Sequence, residues 1–347
     1  MARTIIVSNR LPVSITKKDG KLNYTTSAGG LATGLGSIYK QGNNLWIGWP
    51  GLYLNEESEK EEVCRELQKD NMAPVYLTQE DIEKFYEGFS NSTLWPLFHY
   101  FPKYVDFGEE NWNSYKYVNA LFCDTILKYA EKDDVIWIHD YQLLLLPSMI
   151  REKLPESSIG FFQHIPFPSY EIFRILPWRE ELLRGMIGAD LLGFHTYDDV
   201  RHFLSAVSRI TGIDNKMGEM RVGDRLCNVD SFPMGIDYQK FETAATAPET
   251  KAEIEKYSRE LGSQKLIISI DRLDYSKGIP ERLIALYEFF NRYPEYCGKV
   301  SLIFVMVPSR DKVPLYKQLK MEIDELVGRI NGKFGTIGWT PVYYFYR

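Results

Sequence analysis

Short runs that are apolar at almost every position constrain this chain most. Val135-Ile136-Trp137-Ile138 and Leu266-Ile267-Ile268-Ser269-Ile270 leave no polar face for solvent. Strands of that kind are buried on both sides, as in a parallel sheet with helices on each face. Strand patterns occupy 4–9, 45–49, 74–78, 134–138, 159–163, 190–194, 227–232, 265–270, 300–307 and 341–345. Helical patterns occupy 30–40, 56–70, 79–87, 111–130, 141–153, 178–187, 196–210, 248–261, 279–293 and 311–328. This alternation predicts an α/β chain built from repeated strand–helix units.

A chain of 347 residues is too long for one ordinary core and predicts two domains. The boundary signal is Phe232-Pro233-Met234-Gly235-Ile236-Asp237, followed by the small, polar run Thr243-Ala244-Ala245-Thr246-Ala247-Pro248. It predicts a first domain over 1–233 and a second over 234–347. The second shows only three clear strands, where doubly wound domains usually have about five or six. The chain closes on Tyr343-Tyr344-Phe345-Tyr346-Arg347, an aromatic strand with no helix after it. Such an end exposes an apolar patch and a sheet edge, so the chain is expected to be a piece of a longer one.

Asp271-Arg272-Leu273-Asp274-Tyr275-Ser276-Lys277-Gly278 follows one of the apolar strands and precedes a helix opened by Pro280. Arg272 and Lys277 then sit at the carboxyl end of a strand, where open α/β sheets bind ligands. Arg as a planar fork and Lys as a point charge suit a diphosphate. A solvated loop with two surface cations accounts for the same residues.

Composition narrows the function classes. Hydrophobic residues make up 44% and charged residues 25%, ordinary for a globular protein. A net charge of −6 argues against general binding to nucleic acid or to a membrane surface. The four cysteines are Cys64, Cys123, Cys227 and Cys297, too scattered for a zinc or redox pair. That usage fits a reducing compartment. The apolar run at Thr4-Ile5-Ile6-Val7 is too short for a signal peptide, and no run is long enough to span a membrane. A cytoplasmic location is expected. No Gly-x-Ser-x-Gly elbow, His-Glu-x-x-His or Asp-x-Asp stands in the chain, so neither a serine hydrolase nor a catalytic metal is indicated.

Six further segments stand in one order along the chain. They are Val7-Ser8-Asn9-Arg10, Ser27-Ala28-Gly29-Gly30-Leu31, Trp137-Ile138-His139-Asp140-Tyr141, Gly160-Phe161-Phe162-Gln163-His164-Ile165-Pro166-Phe167-Pro168, Gly328-Arg329-Ile330-Asn331-Gly332-Lys333-Phe334-Gly335 and Gly338-Trp339-Thr340-Pro341. With the 271–278 loop they resemble trehalose-6-phosphate synthase over essentially the whole chain. The resemblance implies two Rossmann-like domains facing a cleft, the GT-B arrangement, with the second incomplete here. It makes the first the acceptor-binding domain and the second the nucleotide-sugar-binding domain. The implied reaction transfers glucose from UDP-glucose to glucose-6-phosphate with retention, giving trehalose-6-phosphate and UDP, with no cofactor and no metal.

The resemblance also assigns roles. Arg10, Trp49, Tyr86, Trp95, Asp140 and Arg310 match the glucose-6-phosphate site. Gly29, Gly30, His164, Arg272 and Lys277 match the UDP-glucose site. Asp140, His164, Arg272 and Lys277 match the catalytic groups. Each residue alone has a plainer account. A Gly-Gly turn before a helix is common, buried aromatics are usually core, His164 can be structural, and Arg310 can be a surface cation at a helix start. The family continues past residue 347 with an Asp-Gly-Met-Asn-Leu-type loop and a Glu that hold the donor, so low turnover is expected of this chain alone. A catalytically inactive sugar-phosphate-binding relative, or a transferase with another donor nucleotide or phosphorylated acceptor, fits the same residues. The resemblance leaves a homo-oligomer and a fused or partner trehalose phosphatase open.

Overall fold

The computed structural model describes residues 3–18, 21–26, 30, 34–35, 43–262, 264–309 and 314–347. The chain divides into two compact units, Met1–Ile236 and Asp237–Arg347.

The first unit is organised by a nine-stranded sheet. Its strands are β1 (Thr4–Arg10), β4 (Leu45–Trp49), β5 (Met72–Pro74), β6 (Val135–His139), β7 (Ser158–Phe162), β8 (Leu191–Phe194), β9 (Asn215–Lys216), β10 (Glu219–Val222) and β11 (Arg225–Ser231). Two others, β2 (Val13–Lys18) and β3 (Lys21–Thr26), pair with each other as a hairpin. The sheet order is β5-β4-β1-β6-β7-β8-β11-β10-β9. The pairings from β5 to β11 are parallel, and β10 and β9 add an antiparallel edge. Strand order reverses between β1 and β6. At such a switch point helices leave to opposite faces, and a crevice opens beyond the carboxyl ends of the strands.

The apolar runs explain the centre of the sheet. Ile5, Ile6 and Val7 in β1 and Ile136 and Ile138 in β6 are all buried. The helix Glu109–Tyr129 buries Trp112, Tyr115, Val118, Asn119, Phe122, Cys123 and Ile126, the three- and four-residue spacing of one helical face. Glu109 and Glu110 occupy its first turn, where acidic groups suit the helix dipole.

Several expected elements differ. The helix expected over 79–87 is a single turn, Gln79–Asp81, followed by a wider helix over Ile82–Leu94 and a last turn, Trp95–Phe98. The wider helix hydrogen-bonds its backbone five residues apart, and side chains reach back the same distance: Asn91 Nδ2 donates to the Tyr86 carbonyl and Ser92 Oγ to that of Glu87, each at 2.8 Å. The strand expected over 74–78 is Met72–Pro74, at the edge of the sheet, where Pro74 is tolerated because its nitrogen faces away from β4. The expected helix 141–153 is a tight turn, Tyr141–Leu143, then a helix, Leu146–Lys153, with Pro147 in its first turn. Of the expected helix 30–40, only residues 30, 34 and 35 are described, and their backbone is helical.

The second unit has three parallel strands, β12 (Lys265–Arg272), β13 (Val300–Val307) and β14 (Val342–Tyr346), in that order. Its core joins Leu302, Phe304 and Met306 of β13 to Leu283 and Phe290 of the helix Ile279–Arg292 and Ile323 and Ile330 of the helix Pro314–Phe334. The expectation that β12 is buried on both faces fails. Ile268 and Ile270 are 68% and 64% exposed, because they share one face of β12 and no described helix packs over it. The helices Tyr238–Thr246 and Pro248–Leu261 bury none of their residues.

These contrasts predict unequal costs of truncation. Phe122→Ala should destabilise the protein by about 3–5 kcal/mol through an unfilled cavity. Phe241→Ala, at an exposed position, should stay within about 0.5 kcal/mol of the parent. Urea unfolding followed by circular dichroism measures both; a large loss at Phe241 would contradict the packing described.

Candidate active site

The carboxyl ends of β1, β4, β6 and β7 carry Arg10, Trp49, His139, Asp140 and His164 near the switch point, and helical segments add Tyr86 and Trp95. Arg10 closes β1 and is exposed; its guanidinium lies 5.4 Å from the Trp49 ring at the end of β4. Among the described residues no carboxylate pairs with Arg10. Gly51, at φ 94°, leaves room for it: a Cβ there would fall 2.2 Å from Arg10 Nη2. The Trp49 indole N–H donates to the Leu52 carbonyl at 3.0 Å, fixing its ring, and the Tyr86 ring stands 6.2 Å away. Tyr86 projects from the wider helix and is half-buried.

Trp95 is buried and packs its ring 5.7 Å from that of Tyr141. Tyr141 follows Asp140 at the end of β6. The Tyr141 hydroxyl donates to Asn91 Oδ1 at 2.8 Å, so the wider helix is tied to the end of β6. Asp140 has φ 78° and ψ 169°, a backbone region used almost only by glycine. Its Oδ1 accepts from the Tyr141 N–H at 3.0 Å and the His164 N–H at 3.2 Å. Burial raises its pKa to about 6; backbone N–H groups of Tyr141, His164 and Ile165 oppose that shift without cancelling it.

His164 follows β7. Its Nε2 lies 2.9 Å from His139 Nδ1, so the two rings share a hydrogen bond. Burial, then the neighbouring His195, lowers the His164 pKa to about 4. Burial, then His164, takes His139 well below its ordinary value. Both imidazoles are therefore neutral at pH 7. A cavity of about 400 Å³ opens beside them, with Trp137, Phe162, Gly193 and Met234 in its wall.

In the second unit the 271–278 loop is braced from within. Asp274 accepts from the Ser276 N–H at 2.9 Å and from the Tyr316 hydroxyl at 3.1 Å. Arg282 donates to Ser269 Oγ, to Asp271 Oδ2 at 2.5 Å and to the Lys277 carbonyl at 3.1 Å. Gly278, at φ 61°, turns the chain into the next helix. Arg272 and Lys277 are left exposed, and among the described residues neither pairs with a carboxylate.

Comparison with known proteins identifies this arrangement. The model for glycosyltransferase family 20 matches residues 2–347. The chain belongs to that family. It is 46% identical to the UDP-forming α,α-trehalose-phosphate synthase of Pichia angusta, over 99% of this chain and 74% of that protein. A solved E. coli structure described as bound with UDP-2-fluoro glucose is 35% identical, with a TM-score of 0.88, covering 100% of this chain and 74% of that one. The UDP-forming synthase of Burkholderia xenovorans in complex with glucose-6-phosphate is 30% identical, with a TM-score of 0.86, covering 100% and 75%. The fold is that of this GT-B family: two Rossmann-like units, the second the smaller.

Within this family 20 chain the expected residues fall into three sets. Arg10, Trp49 and Tyr86 form one contiguous group. Trp95, Asp140 and His164 form a second, joined through Tyr141 and the Asp140–His164 hydrogen bond. Arg272 and Lys277 share the braced loop of the second unit. Gly30 is exposed and helical, and a Cβ on it would meet nothing within 4 Å, so no protein contact demands glycine there. Gly29 and Arg310 lie outside the described residues. Sequence reasoning gave no role to Asn91, Tyr141, His139 and Gly51, although His139 and Tyr141 flank Asp140 in a family motif. Asn91 and Tyr141 are fifty residues apart, and no periodicity pairs them.

The raised Asp140 pKa has a consequence for stability. The folded protein holds the proton that the unfolded chain, near the ordinary value of 3.8, releases first. The wild type therefore loses stability relative to Asp140→Asn as pH rises from about 4 to about 6, and the gap stays constant above that. It should reach up to about 3 kcal/mol, since each unit is worth about 1.4 kcal/mol. Urea midpoints of both proteins at pH 4 and pH 7.5 measure it; an equal difference at both would show that Asp140 is not perturbed.

Proposed function

We propose that Arg10, Trp49, Tyr86, Trp95 and Asp140 bind glucose-6-phosphate on the first unit, and that Arg272 and Lys277 on the second grip the diphosphate of UDP-glucose. On this reading the protein transfers glucose from UDP-glucose to glucose-6-phosphate, giving trehalose-6-phosphate and UDP with retention of configuration. Met1–Ile236 then serves as the acceptor unit and Asp237–Arg347 carries part of the donor site. Arg310, Gly29 and Gly30 remain candidates for the phosphate and donor contacts that the family motifs imply.

The observation that carries the reading is the unspent cation at the switch point. Arg10 is exposed, has no described carboxylate partner, and stands beside two aromatic rings at the carboxyl end of β1. A planar fork of N–H donors there suits a phosphate. Tyr86 can donate a hydroxyl hydrogen to the same group, and the face of Trp49 can cover a sugar. Asp140, once ionised, accepts hydrogens from sugar hydroxyls. His164 is neutral and forms hydrogen bonds without adding charge. Arg272 and Lys277 offset the charge that gathers on the leaving diphosphate, where such stabilisation is typically worth about a hundredfold or more in rate.

Incubation with both substrates should form trehalose-6-phosphate and UDP in equal amounts, and neither should appear when glucose-6-phosphate is omitted. Arg272→Ala and Lys277→Ala should each lower the rate by about a hundredfold while leaving glucose-6-phosphate affinity unchanged. Mass spectrometry of the product and a coupled UDP assay measure these. UDP release that ignores glucose-6-phosphate would overturn the reading. Affinity for glucose, which has no phosphate to titrate, should also rise as pH passes upward through about 6, where Asp140 ionises, and Asp140→Asn should abolish that dependence.

A further inference from the structure

The proposed acceptor wall consists of two halves carried by different elements. Arg10 and Tyr86 would meet a phosphate, whereas Trp95 and Asp140, joined through the buried Tyr141, would meet a hexose ring. One side chain spans them. Asn91 is 4% exposed, and both ends of its amide are used. Its Nδ2 donates to the Tyr86 carbonyl at 2.8 Å, and its Oδ1 accepts from the Tyr141 hydroxyl at 2.8 Å. The first bond joins residues five apart, across one turn of the wider helix from which Tyr86 projects. The second fixes the ring that follows Asp140, whose carboxylate accepts from the Tyr141 N–H. Tyr141 is anchored in turn, since its carbonyl accepts from the buried Tyr115 hydroxyl at 2.8 Å.

From this we infer that Asn91 is a positioning residue for acceptor discrimination: it sets the separation between the phosphate-facing and sugar-facing halves, and so the preference for a phosphorylated hexose. The inference rests on the acceptor reading above. An amide is suited to the task because it alone offers a donor and an acceptor on one planar group of this size. Asp would repel the Tyr86 carbonyl while still accepting from Tyr141. Leu would fill the space and satisfy neither partner. A shift of about an ångström between the two halves would remove the phosphate from Arg10 and Tyr86 while leaving the hexose in place.

Calorimetric titration of this chain with glucose-6-phosphate and with glucose tests both levels. The wild type should prefer the phosphorylated sugar strongly; equal affinities would sink the acceptor reading and this inference with it. Given that preference, Asn91→Asp and Tyr141→Phe should each lower the glucose-6-phosphate to glucose affinity ratio by about tenfold, mostly through the phosphorylated ligand. Tyr141→Phe keeps the ring and its packing, so it reports even where an Asn91 variant fails to fold. Combining the two substitutions should lower the ratio no further than the larger single change. An unchanged ratio in the folded variants, or equal weakening of both sugars, would overturn the positioning role.

Discussion

Both halves of the candidate site turn on the backbone of Asp140. At φ 78° and ψ 169° a residue with a side chain is strained by roughly 1–3 kcal/mol. The surroundings hold it there. Its N–H donates to the Phe162 carbonyl at 2.8 Å, and its carboxylate accepts from the Tyr141 and His164 amides. The same turn ends β6, reverses the chain into Tyr141, and ties the end of β7 to it. A relaxed backbone would remove the carboxylate from the switch point and part Tyr141 from Asn91. The strain thus supplies geometry that neither strand nor helix provides.

Electrostatics follow from the same enclosure. Burial lowers His164 to about 4 and leaves it uncharged near neutrality, whereas Asp140, raised to about 6, is mostly ionised there, so the centre of the site carries one negative charge. Positive charge is exposed on Arg10 beside that centre in the first unit and, within the second unit, on Arg272 and Lys277. That distribution suits two anionic substrates whose reacting sugars are neutral. It also explains why a chain with a net charge of −6 can carry an anion site: the cations are few, local and free of carboxylate partners among the described residues.

Much of the fold was legible because burial on both faces leaves a mark. The strands around β1, β6 and β7 read as unbroken apolar runs, and their carboxyl ends located Arg10, Trp49, Asp140 and His164. The family identity was legible for a different reason, the fixed order of several short motifs, and the comparisons bear it out. Other features left weaker marks. The hairpin β2–β3 was missed although Val13 and Ile15 alternate with Ser14 and Thr16, and Asp19-Gly20 is a tight-turn pair. The wide helix over Ile82–Leu94 is accompanied by side-chain donations from Asn91 and Ser92 to carbonyls five residues back, which no periodicity announces. β12 reads as a buried strand because its side chains are apolar, but the exposure of Ile268 and Ile270 depends on its place, with no described helix packed over their face. A run of residues does not encode that place.

The central claim is that residues 82–95 and 139–141 form one acceptor wall. Hydrogen–deuterium exchange with and without saturating glucose-6-phosphate tests it most directly, because amide protection reports each segment separately. The account predicts slower exchange in both segments together, with little change in the exposed helices Tyr238–Thr246 and Pro248–Leu261. Binding that leaves either segment unprotected, or that protects only residues elsewhere, would contradict it.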